Sequence, residues 1–203
     1  MTEGRALGKI IYLTGAPATG KSTLTADLIM RASQVTVFTY SKELARVTST
    51  RVGPVTQNDM REQSAKLITR EDVEVVDVEL IQEARRLKQA DGYLVIDSHP
   101  VTIESFGFRV TPFTKEMLQQ LAPDVIVCLY ADAETLASRI KADPAGRPLP
   151  PKSELERHVD LQSQVASIYA IETGASLYFL DASKSRAEVL SNFLKVTRIP
   201  ELK

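Results

Sequence analysis

The chain has 203 residues, 43% of them hydrophobic and 25% charged, with 25 basic residues against 26 acidic ones for a formal net charge of -1. That length suits one α/β domain with its own core better than two, and the balance excludes a disordered chain. A near-neutral charge gives no global electrostatic reason for a nucleic-acid or anionic-membrane partner, and no apolar run approaches the ~20 residues of a membrane-spanning helix. The single cysteine, Cys128, lies in an apolar run and reads as a small buried core residue. With no partner for an intrachain disulfide and no apolar leader-like stretch after Glu3, a reducing, cytoplasmic setting is the expectation.

Apolar runs of strand length alternate with helical stretches, the pattern of a parallel α/β sheet. Lys9 to Thr14 is continuously apolar rather than alternating, so it reads as a strand buried on both faces. A helix follows from Ser22 to about Arg31, with Leu24, Leu28 and Ile29 on one side, and then a strand from Val35 to Thr39. Residues from about Ser41 to Ala90 are mostly helical; Val73, Val76, Leu80, Ala84 and Leu87 recur at spacings of three and four. Gly92 to Asp97 is the third strand, Pro112 and Pro123 bracket a short helix, and Val125 to Tyr130 is the fourth strand. A helix over Ala133 to Ala142 runs into Asp143 to Pro151, where four prolines and a glycine dictate a loop. A long helix from Ser153 to Thr173 should be capped by Gly174, followed by a fifth strand over Ser176 to Leu180 and a final helix starting near Ser183. No repeat or linker interrupts residues 1–203, which read as one domain.

The segment Gly15-Ala16-Pro17-Ala18-Thr19-Gly20-Lys21-Ser22 matches G-x-x-x-x-G-K-[ST] at every fixed position, with Thr23 just beyond it. Glycines let successive backbone N–H groups point at phosphate oxygens, and the following helix aims its positive end at the same place. Lys21 would reach the β- and γ-phosphates of ATP, and the Ser22 hydroxyl would ligate Mg²⁺. The motif follows an apolar strand and precedes an amphipathic helix, as this mechanism requires. Asp97, at the end of the third strand, is the candidate to hold the metal's water shell. Asp132 precedes a helix and reads as its N-cap. Transfer also needs positive charge beyond the metal; Arg139, near a helix end, and Arg147, in the proline-rich loop, read as parts of a lid that excludes water. His158, on a charged helix, reads as a polar surface or capping contact, and His99 as a member of the site; their spacing does not suggest zinc.

With these residues in place, the sequence resembles nucleoside monophosphate kinases, and among them archaeal-type adenylate kinases. The resemblance is carried by the phosphate loop and by Asp97-Ser98-His99. It extends to Gly107-Phe-Arg-Val-Thr-Pro-Phe113 with Leu118 to Ile126, and to His158 through Tyr169-Ala-Ile-Glu-Thr-Gly-Ala175. It implies a P-loop NTPase three-layer sandwich with a central five-stranded parallel sheet, a helical acceptor-binding region over about 40–90 and a short lid over about 142–152. The implied reaction is phosphoryl transfer from Mg-ATP to a nucleoside monophosphate, AMP-like by preference. On that mapping Ser41, Arg46 and Arg61 lie near the acceptor, and His99 sits beside the transferred phosphate or the acceptor. Gly107 to Phe113, Arg109 among them, line the acceptor's base. The chain departs from the family pattern in two places: Ser163 stands where an arginine is expected, between Gln162 and Gln164, and Thr39-Tyr-Ser41 replaces a glycine-containing turn. Alternatives are a P-loop kinase of a non-nucleotide metabolite, and an ATPase switch or assembly factor with weak basal hydrolysis. No Asn-Lys-x-Asp guanine-specificity sequence is present.

Overall fold

The computed structural model describes residues 8–32, 34–56, 59, 66–144, 146 and 148–200. Strand β1 (Lys9–Gly15) is apolar without alternation because both its faces are covered: Ile11 and Leu13 enter one core, Ile10 and Tyr12 the other. Around it lie β2 (Val35–Thr39), β3 (Tyr93–Asp97), β6 (Val125–Tyr130) and β7 (Ser176–Asp181), in the sheet order β2-β3-β1-β6-β7, with every neighbouring pair parallel. These are the five strands expected from the sequence.

Helices α1 (Lys21–Arg31), α5 (Ala133–Lys141) and α7 (Arg186–Thr197) cover one face, where Leu28, Leu136, Leu190 and Phe193 are buried with Val127. Helices α3 (Arg70–Gln89) and α4 (Lys115–Leu121) cover the other, with Leu80, Leu118 and Leu121 against Leu94 and Ile126. The long α6 (Lys152–Thr173) crosses from one to the other: Leu155, in its first turn, packs in the first core, while Val165, Ala166 and Tyr169 pack in the second. The result is the helix–sheet–helix layering that the alternating pattern implied.

Local chemistry fixes the helix ends. Thr69 and Asp72 close a capping box at the start of α3, and Arg51, from α2 (Tyr40–Val52), donates to the same Asp72 carboxylate, joining the two helices. Asp132 caps α5 through Thr135 N at 2.8 Å, as its place before a helix suggested. Gly174 ends α6 with a φ of 71°, in the left-handed region where only glycine is unstrained. The final helix begins at Arg186, not Ser183: Ser183 is held in a turn by Asp181, and Ser185 with Glu188 forms the capping box. One element was not anticipated. Residues Val101–Glu104 and Gly107–Val110 pair as an antiparallel hairpin, β4 and β5, with Gly107 at a φ of 124° after the tight turn. Among the described residues no helix is long and apolar enough to cross a membrane.

Candidate active site

Strand β1 delivers the glycine-rich loop to the C-terminal edge of the sheet. Gly15 has a φ of 149°, and a Cβ there would lie 2.6 Å from the carbonyl oxygen of Leu129, so no other residue fits between β1 and β6. The loop then turns back through Ala18 and Gly20, both at positive φ. Thr19 Oγ1 donates to Ala16 O at 2.8 Å and pins the turn from inside. Gly20 is the N-cap of α1, with no side-chain cap and no acidic residue in the first turn. The helix therefore presents its positive end and bare N–H groups to the loop, which suits an anion. Lys21 Nζ donates to Gly15 O at 2.6 Å, folding its ammonium over the loop. Ser22 and Thr23 are exposed on the first turn.

Asp97 reaches the same place from β3, paired in register with Leu13, and Ser98 N donates to Leu13 O at 3.1 Å just beyond it. Its side chain is held in a poorly hydrated position with Asp97 only 7% exposed. Burial pushes the carboxyl above its ordinary value, against the pull of Lys21 and Lys42. Beside it, between α1 and α2, opens a cavity of about 250 Å³ lined by Ser22, Thr25, Thr39, Lys42, Glu43 and Asp97. A second cavity, of about 390 Å³, opens on the other side of the loop between Ala18, Thr23, Arg139, Lys184 and Arg186. Arg139 is fastened there to the body of the domain, donating to Ala18 O at 3.3 Å and Ala182 O at 2.6 Å; it walls this cavity instead of riding on the proline-rich loop. Arg186 binds Asp27 on α1 in a two-pronged ion pair, holding that carboxyl below its usual range.

The other expected residues fall at different distances from this centre. Ser41 and Lys42 start α2 beside the first cavity. Arg46, one turn further, points to Glu43 and Glu79 and is engaged by both. His99 follows Asp97 in the short link to β4. Gly107 and Arg109 lie on β5, where Arg109 pairs with Glu104 at 3.1 Å across the hairpin. Phe113 stands in an aromatic cluster with Tyr12, Tyr40 and Tyr169, its backbone N–H donating to Tyr169 OH at 2.6 Å. Arg61 and Arg147 lie outside the described residues, as does part of the expected lid.

Sequence reasoning misplaced His158. It is 1% exposed, not a surface contact: its Nε2 donates to Val101 O at 3.0 Å, and Phe108 packs edge-on to the ring. Burial lowers its pKa to about 4, so the ring is neutral at neutral pH. Gln162, one turn on and equally buried, donates to Thr14 Oγ1 at 2.6 Å. The face that carries them reads Leu155, His158, Gln162, Val165, Ala166, Tyr169, a helical stripe whose spacing would have identified both. Ser163 donates to Val159 O at 2.8 Å, an intrahelical bond that supplies no charge to the site.

A family model for the AAA domain matches residues 14–156. Among curated proteins, the adenylate kinase of Methanopyrus kandleri is 24% identical over 195 residues, covering 95% of this chain and 99% of that one. Two solved structures share the fold at lower identity. The Deinococcus radiodurans tunicamycin resistance protein has a TM-score of 0.61 at 13% identity, covering 97% of this chain and 99% of its own. Shikimate kinase from Bacteroides thetaiotaomicron has a TM-score of 0.54 at 13% identity, covering 94% and 98%. The matched span includes the glycine-rich loop, Asp97 and Arg139, so the chain belongs to this AAA domain family and is a P-loop kinase.

Proposed function

We propose that the protein transfers the γ-phosphoryl group of Mg-ATP to a nucleoside monophosphate. The observation that carries this reading is the pair of cavities on either side of one phosphate loop. The larger, walled by Arg139, Lys184 and Arg186, takes the donor nucleotide, and the smaller, at Asp97 and the start of α2, takes the acceptor. Likeness to the adenylate kinase of Methanopyrus kandleri over nearly the whole chain favours a nucleotide as that acceptor.

The residues suit a hard divalent cation. Among the described residues no cluster of three or more His, Cys, Asp or Glu could hold a metal by itself. The Ser22 hydroxyl and the Asp97 carboxylate are oxygen donors facing one cavity, and Mg²⁺ characteristically takes few protein ligands and completes its shell with phosphates and water. When bound it would neutralise charge on the β- and γ-phosphates. The loop N–H groups and Lys21 hold the donor phosphates in line, and Asp97 orients what lies between donor and acceptor. Ser41 and His99 border the acceptor; Arg61 and Arg147 are assigned to acceptor and lid by resemblance. Catalysis on this reading is positioning and charge neutralisation, with no covalent enzyme intermediate.

A second reading, a P-loop kinase of a non-nucleotide metabolite, is favoured by Ser163 in place of the expected arginine and by Arg46 being bound by two carboxylates. A coupled assay for ADP from Mg-ATP against a panel of nucleoside monophosphates separates the two. Rapid ADP formation with one monophosphate supports the first. Acceptor-independent trickle hydrolysis with every monophosphate refutes it.

A further inference from the structure

We propose that Lys42 is the cation that faces the phosphoryl group from the acceptor side as it passes between nucleotides, filling the place of the arginine absent at position 163. The inference rests on the phosphotransfer reading above and goes beyond it by naming a catalytic residue that no motif assigns.

Four observations converge on it. Lys42 sits in the first turn of α2 and lines the same cavity as Ser22 and Asp97. Asp97, buried at 7% exposed, lines that cavity with it, and its carboxyl feels the charge of both Lys21 and Lys42. The described residues offer Lys42 no ion pair, since Glu43 beside it is bound by Arg46. Ser163 turns its hydroxyl back to Val159 O, and its polar neighbours on the buried stretch of α6, Gln162 and neutral His158, are uncharged, so that stretch contributes no cation to the centre.

The chemistry needs such a charge. An oxygen of the acceptor phosphate attacks the γ-phosphorus, the bond to the β,γ-bridging oxygen breaks, and ADP leaves with the electron pair; a phosphate dianion as acceptor has no proton to lose. Two anionic groups must approach each other, and negative charge spreads over the oxygens in flight. Lys21 meets that charge from the donor side. A lysine on the opposite wall meets it from the acceptor side, and its exposure in the open cleft keeps it hydrated until substrates close around it. Thr39 carries no side-chain cap to the N-terminal N–H groups of α2, so that helix end adds its positive dipole beside Lys42, offset in part by Glu43 in the same turn.

The test compares wild type with Lys42→Met and Lys42→Arg, using Mg-ATP and the best acceptor from the monophosphate panel, with Mg-ATP affinity read by titration calorimetry. Lys42→Met should lower kcat/KM for the acceptor about a hundredfold, and Lys42→Arg should restore it to within about tenfold. The Mg-ATP dissociation constant should change less than about threefold. Retention of kcat/KM in Lys42→Met, or a loss matched by the same loss of Mg-ATP affinity, overturns the proposal. If wild type consumes no monophosphate, the nucleotide-kinase reading fails separately. Lys42 is then read from single-turnover hydrolysis of Mg-ATP, where water replaces the acceptor: a tenfold slowing in Lys42→Met upholds its role, and an unchanged rate overturns it.

Discussion

His158 gives the structure a measurable dependence on acid. Its ring is enclosed by Phe108 and the Val101 carbonyl, and burial lowers its pKa from 6.5 to about 4. In the unfolded chain the imidazole takes up a proton as pH falls below about 6.5, while in the folded protein it resists until about 4. Between those values the unfolded state binds more protons, so stability falls as pH falls, and the loss is complete below about pH 4. Two to three pKa units correspond to about 3 kcal/mol in all, of which about 2.5 kcal/mol is lost between pH 7 and pH 4.5. Urea unfolding of wild type and His158→Gln across that range isolates this group, because other titrating groups act alike in both. Glutamine offers an N–H to Val101 O but takes no proton, so the variant should start less stable at pH 7 and converge on wild type by pH 4.5. Parallel curves would refute the reasoning and return His158 to the solvated role its charged helix suggests.

Gly15→Ala should disrupt the loop itself: a Cβ 2.6 Å from Leu129 O forces β1 and β6 apart, and thermal unfolding should report a loss of at least ~2 kcal/mol along with nucleotide affinity. Lys21→Ala should lower turnover by about two orders of magnitude or more while circular dichroism and unfolding midpoint stay close to wild type, because the ammonium folds back over the loop onto the carbonyls of Gly15 and Ala16 and takes no part in either core; unchanged turnover would remove the loop from the mechanism. Gln162→Leu should cost about 1–3 kcal/mol by leaving the buried Thr14 hydroxyl without its donor, and adding Thr14→Val should recover part of it. Additive losses in that double-mutant cycle would show that the bond contributes nothing to stability.

The sheet was legible because its strands are doubly covered and therefore uniformly apolar: β1, β3 and β6 stand out against polar surroundings. The phosphate loop was legible because its geometry demands glycine at fixed positions. The hairpin of β4 and β5 was harder to see. Its strands are four residues each and half-buried, and the alternation of Val101, Thr102, Ile103 and Glu104 is short enough to pass for loop. His158 and Gln162 were hidden by their polarity: a buried stripe is sought among apolar residues, and these two interrupt it with groups whose partners, Val101 O and Thr14 Oγ1, lie far away in sequence. Lys42 carried no motif, and only the folding of α2 against Asp97 gives it a position.

The way Gly15 is wedged against Leu129 has a consequence for how the protein comes into being. The phosphate-binding motif is translated well before β6, yet the wall that Gly15 packs against is missing until β6 has been made and laid beside β1. Its helix is braced later still, since Asp27 waits for Arg186, 159 residues further on, and Ala18 waits for Arg139. A nascent chain emerging from the ribosome therefore carries the signature of a nucleotide site long before it owns one. The elements that complete it, β6, α5 and α7, bear no part of the motif.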